Sequence, residues 1–294
     1  MFTQLQQCIY TPSSYVQSSH PYPTTQIESA FRVLARVPPF FKKQLCARWG
    51  YDVSRSFKPW IDDVYSRMWK AIEIGENDDD VCADIVQSIL PPIPKLLASY
   101  TKGRISSRVT DMLPMVRGCR IASYLDIGCG NGHLTGALGK ALGLRACHGC
   151  DIHLHDNDVL DTSICEVDKI GASASALPFA NRVFDLVTCI MSLHHIEELD
   201  EALDEITRVV RVGGWVLIRE HDCRDMYFAT FLDLIHLFYT HIFVDHDEYE
   251  TDVHMYRSHR GWKTKLRRKG LYEVQWIPTH DLYRSYYALY QRRF

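Results

Sequence analysis

The spacing of apolar residues changes near Val116. From Ile27 to about Val116 they recur at helical intervals, as at Trp60, Val64, Met68 and Ile72, and are interrupted by Pro38-Pro39 and by Pro91-Pro92 with Pro94. Beyond Val116, short apolar runs alternate with amphipathic stretches. Ile121 to Ile127 predicts a strand, followed by a glycine-rich turn and a helix from Asn131 to about Leu142. Leu144 to Asp151 predicts a second strand, Ile164 to Ala172 a third, and Phe184 to Met191 a fourth that is covered on both faces. Leu199, Ala202, Leu203, Ile206, Val209 and Val210 then mark one face of a helix, which Gly213-Gly214 is expected to end before a strand at Trp215 to Ile218. Residues 226–243 and 258–269 predict helices, and Tyr272 to Ile277 with Tyr283 to Tyr290 an antiparallel edge pair.

Strands alternating with helices imply an α/β protein built on a mostly parallel sheet. The organisation expected is a Ser-, Thr-, Gln-, Pro- and Tyr-rich flexible tail over 1–27, a helical cap over 28–115 and the α/β domain over 116–294. With 294 residues and 46% hydrophobic content the chain can bury a sizeable core, which excludes wholesale disorder. The 33 basic against 36 acidic side chains exclude a broadly cationic nucleic-acid binder, although a local basic patch is compatible with them. Ten cysteines at irregular spacing, several within apolar runs, point to reduced thiols in a cytoplasmic or nuclear compartment. No Lys or Arg precedes Arg32, which matches neither a secretory signal nor an Arg-rich transit peptide. The most apolar stretch, Phe228 to Val244, contains Asp233, His236 and His241 and falls short of the ~20 residues of a membrane span, so a soluble protein is expected.

Candidate chemistry concentrates at Asp126-Ile-Gly128-Cys-Gly130-Asn-Gly132, between a predicted strand and a predicted helix. Glycines there let the backbone turn tightly and approach a ligand. Asp151 ends the next strand, where a carboxylate can accept both hydroxyls of a ribose. The third glycine follows one residue after the second rather than two, which argues against a pyrophosphate-binding dinucleotide site.

YLDIGCGNG resembles the first motif of the class I S-adenosylmethionine-dependent methyltransferases. Three further blocks agree in order: CDI ending at Asp151, SALPFANRVFDLVTCIMSLHHI, and the helix leading into RVVRVGGWVLIRE. The resemblance covers roughly residues 116 to 223 and extends more loosely to uncharacterised members, some of them viral. It implies a Rossmann-like, doubly wound seven-stranded sheet of order 3-2-1-4-5-7-6, with S-adenosyl-L-methionine as cofactor. By the same resemblance Asp126, Gly128, Gly130 and Gly132 would surround the methionine and ribose of the cofactor, and Asp151 would take the ribose hydroxyls. Met191 and Ser192 would border the methyl group. Where the family usually has an acidic residue for the adenine amino group, this chain has Ser173, so a hydroxyl or backbone group would replace the carboxylate.

His194, His195 and His221 are the candidate catalytic residues, because they follow the fourth and fifth strands at the edge where open sheets bind ligands. A histidine beside carboxylates such as Glu220 and Asp222 can serve as a general base, and a hydrogen-bonded turn accounts for the same residues. Cys147-His-Gly-Cys150 lacks a second such pair and reads as two core thiols, so no metal site is expected. The carboxylates from Asp245 to Asp252, with His241 and His246, read as a solvated acidic loop. Lys263, Lys265, Arg267, Arg268 and Lys269, near Trp262, Tyr272 and Trp276, could meet the phosphates and bases of RNA or form an ordinary solvated face.

The function these features imply is methyl transfer to a small-molecule or protein acceptor. RNA, recognised through the basic helix, is the alternative acceptor, and a catalytically silent methyltransferase-like binding subunit is the third reading. The amino-directed (D/N)PP(Y/F) motif is replaced by MSLHH, and no lysine-aspartate-lysine-glutamate set can be aligned.

Overall fold

A computed structural model describes residues 93–154, 165–224, 254–279 and 283–294, together with Arg67, Lys70, Phe228, Ala229 and Leu232. The 1–27 tail, most of the cap, the acidic stretch 245–252 and all but three residues of the 226–243 helix lie outside the described residues.

The described chain starts with helix α1 (Ile93–Met112). Strand β1 (Tyr124–Ile127) leads through the glycine loop into α2 (His133–Ala141). Strands β2 (Ala146–Asp151), β3 (Glu166–Gly171) and β4 (Phe184–Ile190) follow. A single 3-10 turn (Leu193–His195) precedes α3 (Leu199–Val209) and β5 (Val210–His221). Helix α4 (His259–Arg268), β6 (Leu271–Pro278) and β7 (Ser285–Arg292) close the chain. The seven strands form one sheet of order β3-β2-β1-β4-β5-β7-β6. The pairs from β3 across to β5 are parallel, and β7 runs antiparallel between β5 and β6. This is the order that the resemblance implied.

Each face of the sheet has its own helices. Leu199, Ala202, Leu203, Ile206 and Val209 of α3, with Trp262 and Leu266 of α4, pack against Leu125, Ile127, Val187 and Ile218. On the other face Leu138 of α2 and Met112 of α1 pack with Tyr124, Leu186, Leu217 and Leu289. Met112 and Met115 are buried in this second layer beside Val116, so the end of the segment read as a cap contributes to the sheet's own core.

One expectation from the sequence is corrected. Gly213-Gly214 does not end α3; the helix stops at Val209, and Val210 is already extended and begins β5. The glycines absorb a register shift inside β5, where Phe184 pairs with Val210 but Leu186 pairs with Trp215. Gly213 is left-handed at φ 79, and a Cβ on Gly214 would lie 2.9 Å from the carbonyl oxygen of Arg211. Glycine pairs produce both helix stops and strand bulges, and the buried Val210 decides between them by filling the sheet layer.

The two-layer packing predicts that Leu203→Ala, at a fully buried position of α3, destabilises the protein by about 2–5 kcal/mol. Val212→Ala, on the exposed part of the β5 shift, should change stability by less than about 0.5 kcal/mol. Urea unfolding of both variants measures the difference, and equal effects would contradict this packing.

Candidate active site

The loop after β1 is held from below. The N–H groups of Gly128 and Cys129 both donate to the carbonyl of Cys150, at 2.8 and 3.2 Å, which ties the loop to the end of β2. Gly128, Gly130 and Gly132 all have positive φ, but they do different work. A Cβ on Gly128 would lie 2.4 Å from Cβ of Ser192, so this glycine lets the β4 end pack against the loop. Gly132 caps α2 in the left-handed conformation and aims the helix N-terminus at the loop. A Cβ on Gly130 would meet no atom of the described residues within 4 Å, so its bareness serves a space that these residues leave open.

Asp151 faces that space. Its Oδ2 accepts from the Gly130 N–H at 2.7 Å and its Oδ1 from the His153 N–H at 3.1 Å. Each oxygen keeps a further lone pair for a ligand hydroxyl. Asp126 sits differently. It is 2% exposed, and its two oxygens accept from the hydroxyls of Thr135 on α2 and Thr188 on β4. Thr188 also shares a hydrogen bond with the Tyr124 hydroxyl at 2.9 Å. Asp126 therefore fastens the base of the loop to two elements, with both oxygens engaged below the open face of Gly130. Burial raises its carboxyl to about 6, against the Thr188 and Thr135 hydroxyls that lower it.

The ends of β4 and β5 form the other wall. Met191 has φ 62, a conformation strained for a side chain other than glycine, and its N–H donates to the carbonyl of Arg219. Ser192 Oγ donates to the Ile127 carbonyl at 2.9 Å, joining the turn to β1. Glu220, 1% exposed, accepts from the Leu193 N–H at 3.0 Å and lies 2.7 Å from Nδ1 of the fully buried His194. Burial pushes the Glu220 carboxyl up to about 8, opposed by backbone N–H groups of Leu193, His194 and His221 and by the charge of Arg219. The His195 ring, half-buried, lies 4.2 Å from that of His194. His221 Nδ1 is 2.8 Å from the Tyr283 carbonyl, which makes Nδ1 the protonated nitrogen.

The structure thus brings His194, His195 and His221 together and adds two residues that the sequence did not single out. The His254 ring lies 4.8 Å from His195 and is stacked on Tyr256, and Met255 N–H donates to the His194 carbonyl at 2.7 Å. Neither belongs to a motif or a periodic run, so only the tertiary contact reveals them. Thr135 and Thr188 were equally silent, being ordinary residues of a helix and a strand.

Ser173 lies just beyond β3, with its Oγ 2.7 Å from that of Ser175. Cys147 and Cys150 fall on opposite faces of β2, one in each hydrophobic cluster, so they cannot share a metal ion. No set of three metal-ligating side chains occurs among the described residues. The basic helix is largely neutralised: Lys263 pairs with Glu273, Lys265 with Asp200 and Lys269 with Asp204, each at 2.7–2.8 Å. Arg267 lies over the Tyr272 ring. No described helix is long and apolar enough to cross a membrane.

A mostly parallel, doubly wound sheet with a glycine turn at the end of β1 and a carboxylate at the end of β2 is the arrangement in which α/β domains hold nucleosides. Residues 125–218 match the family described as a methyltransferase domain. The chain is 33% identical over 106 residues to the ubiquinone/menaquinone biosynthesis C-methyltransferase UbiE of Hahella chejuensis, covering 34% of this chain and 43% of the relative. It is 35% identical over 117 residues to the mitochondrial arginine-hydroxylase NDUFAF5 of Mus musculus, covering 39% of this chain and 33% of the relative. It is 27% identical over 138 residues to the uncharacterized methyltransferase YcgJ of Bacillus subtilis, covering 44% of this chain and 54% of the relative. The matches therefore span about half or less of these relatives. The site fits S-adenosylmethionine on structural grounds, since Gly130 leaves a bare cradle beside a half-buried carboxylate with lone pairs to spare.

The position of Asp126 predicts a pH dependence. Its folded pKa lies above the unfolded one, so its contribution to stability is complete below the unfolded value and is lost as pH rises through about 6. Asp126→Asn removes this dependence. The stability of the natural protein relative to the variant should fall by about 2–3 kcal/mol between pH 4 and 7. Urea unfolding across that range gives the difference, and parallel curves would show that the buried carboxyl does not titrate as described.

Proposed function

We propose that the protein transfers a methyl group from S-adenosylmethionine to a small-molecule or protein acceptor. The observation that carries this reading is Gly130, left-handed and facing space that the described residues leave open, beside the Asp151 carboxylate and near the wall formed by Met191 and the Ser192–His195 turn. S-adenosylmethionine supplies, when bound, a methyl group on a positively charged sulfur that is already a good leaving group. The protein's own work is then to align the acceptor and to receive a proton where the acceptor carries one.

Gly130 and Gly132 would line the cradle for the methionine and ribose, with Gly128 packed below against Ser192, and Asp151 would hold the ribose. Asp126 acts as a positioning residue by keeping the loop tied to α2 and β4. His195 is the half-buried imidazole of the cluster and the group best placed to meet the acceptor. His194 and Glu220 lie behind it, where their hydrogen bond holds the turn, and His221 and His254 complete the wall. Met191 borders the reacting end.

The ion pairs of α4 weigh against RNA as acceptor. Three of the five cations on or beside that helix already face carboxylates, leaving little unbalanced charge for phosphates. The hydroxylase named among the relatives makes direct detection of methyl transfer essential.

Two experiments test the proposal. Calorimetry with S-adenosylhomocysteine should show that Asp151→Ala weakens binding roughly 10- to 100-fold, the loss of a charge-assisted hydrogen bond of about 1.5–3 kcal/mol. Gly130→Val should abolish binding. It costs the fold about 1–2 kcal/mol through its left-handed backbone, and circular dichroism should show a folded protein. Unaltered affinity in both variants would refute the cofactor site.

The second experiment follows tritiated methyl from S-adenosylmethionine into fractionated cell RNA, protein and metabolites. Label is expected in protein or metabolites, with a flat response to ionic strength, and His195→Gln should lower the rate at least tenfold without weakening the cofactor. Label in RNA with a steep salt dependence would establish the RNA acceptor instead. Cofactor binding with no labelled fraction would favour a silent binding subunit.

A further inference from the structure

Strand β6 is the outermost of the sheet, bonded to β7 on one side and to no described strand on the other. Its second half is open all round. Val274, Gln275, Trp276 and Ile277 are consecutive exposed residues, and the three apolar ones are 54, 45 and 39% exposed. Successive side chains of a strand point to opposite faces, so neither face is covered here. The register with β7 sorts them. Gln275 and Ile277 lie opposite Leu289 and Tyr287, on the side of α1 and α2, with Tyr272 in the same row. Trp276 lies opposite Ala288, on the side of α3 and α4. Val274 is the extra residue of a bulge and has no partner on β7.

An edge strand offers backbone N–H and C=O groups to another chain, and charged side chains along it usually discourage such pairing. The one charged side chain of β6, Glu273, is turned in to His259, Lys263 and Tyr290, so no charge stands along the outer half. Positive charge collects around the strand instead. From His254 to Phe294 the sequence has ten Lys and Arg against two Asp and Glu. Lys263, Lys265 and Lys269 are matched by carboxylates, whereas Arg267, Arg268 and Arg293 are exposed and make no ion pair among the described residues. Arg267 and Arg293 lie over the Tyr272 ring, at 5.8 and 4.5 Å from its centre, which holds both guanidiniums beside the start of the strand.

We propose that the free edge of β6 receives an extended acidic segment of a partner protein as an eighth strand. The backbone of that segment continues the ladder along Val274 to Ile277, and Pro278, which has no N–H, bounds it. Its apolar side chains cover Trp276 and Ile277, and its carboxylates meet Arg267 and Arg293 through charge-assisted hydrogen bonds. Charge selects this occupant over two others. A second copy of the chain, joined edge to edge, would set one basic unit against another. RNA would meet the guanidiniums but would leave the strand's backbone groups, Val274 and Ile277 without matching partners. The inference is independent of the cofactor site.

Fluorescence polarisation of the full chain with labelled decapeptides tests the edge. An alternating Glu-Val peptide should bind saturably, and its Lys-Val counterpart about tenfold more weakly or worse. Ile277→Asp, and separately Arg267→Glu with Arg293→Glu, should each weaken the Glu-Val peptide by about tenfold. These side chains are exposed, so circular dichroism should show a folded protein. Amide hydrogen exchange along β6 should slow when the Glu-Val peptide is bound, as a new ladder requires. Absence of saturable binding, equal binding of the two peptides, or unchanged exchange along β6 overturns the inference. So does a chain that sediments as a dimer and becomes a monomer with Ile277→Asp, which gives the edge to a second copy. Displacement of the Glu-Val peptide by oligouridylate overturns it in favour of RNA.

Discussion

Everything at the ligand-binding edge depends on the position of β1 between two parallel partners. The chain leaves β1 for β2 on one side and reaches β4 on the other, so successive crossovers lie on opposite faces of the sheet. Among the described residues no crossover helix then covers the end of β1, and the loop that follows it lies in the crevice left between the two directions. The short turn after Gly128 can be tight only because Cys150 supplies one carbonyl to two of its N–H groups. The turn after β4 closes the same crevice by pressing Ser192 into the room that Gly128 leaves for lack of a side chain.

Two buried carboxylates stabilise this edge in different ways. Asp126 is satisfied by two hydroxyls, and burial outweighs these and the charge of Arg108, so its proton affinity rises. In return it joins β1, α2 and β4 at the point where the glycine loop begins. Glu220 is satisfied by a backbone N–H and an imidazole, and it fixes the turn that carries His194 and His195. Neither is positioned to touch a ligand directly. Both are of the kind that is costly to bury and costly to remove, because what they hold is backbone geometry.

The surface charges show how far the fold can revise a reading of composition. Five cations near α4 form a basic run in the chain, yet α3 and β6 bring Asp200, Asp204 and Glu273 to meet three of them. These partners are 65 residues away in the case of Asp200 and Lys265, beyond any local pattern. Each exposed pair adds only a fraction of a kcal/mol, about 0–1. Its larger consequence is to remove free positive charge from the helix.

What the sequence determined by itself was local and periodic. The alternation of apolar runs located the strands from β1 to β5, the 3.6-residue spacing at Leu199 to Val209 defined α3, and the glycines placed a tight turn between β1 and α2. These signals survive in one dimension because backbone period and glycine freedom are set by neighbours along the chain. The tertiary structure decided the rest. It placed Gly213-Gly214 inside a strand, because the buried Val210 could fill the sheet layer and a helical continuation could not. It turned Asp126 toward Thr135 and Thr188, and it gathered His254 and Tyr256 beside His194 across a stretch with no apolar pattern. Such contacts depend on which faces meet once the strands are ordered, and that order is a property of the packed sheet.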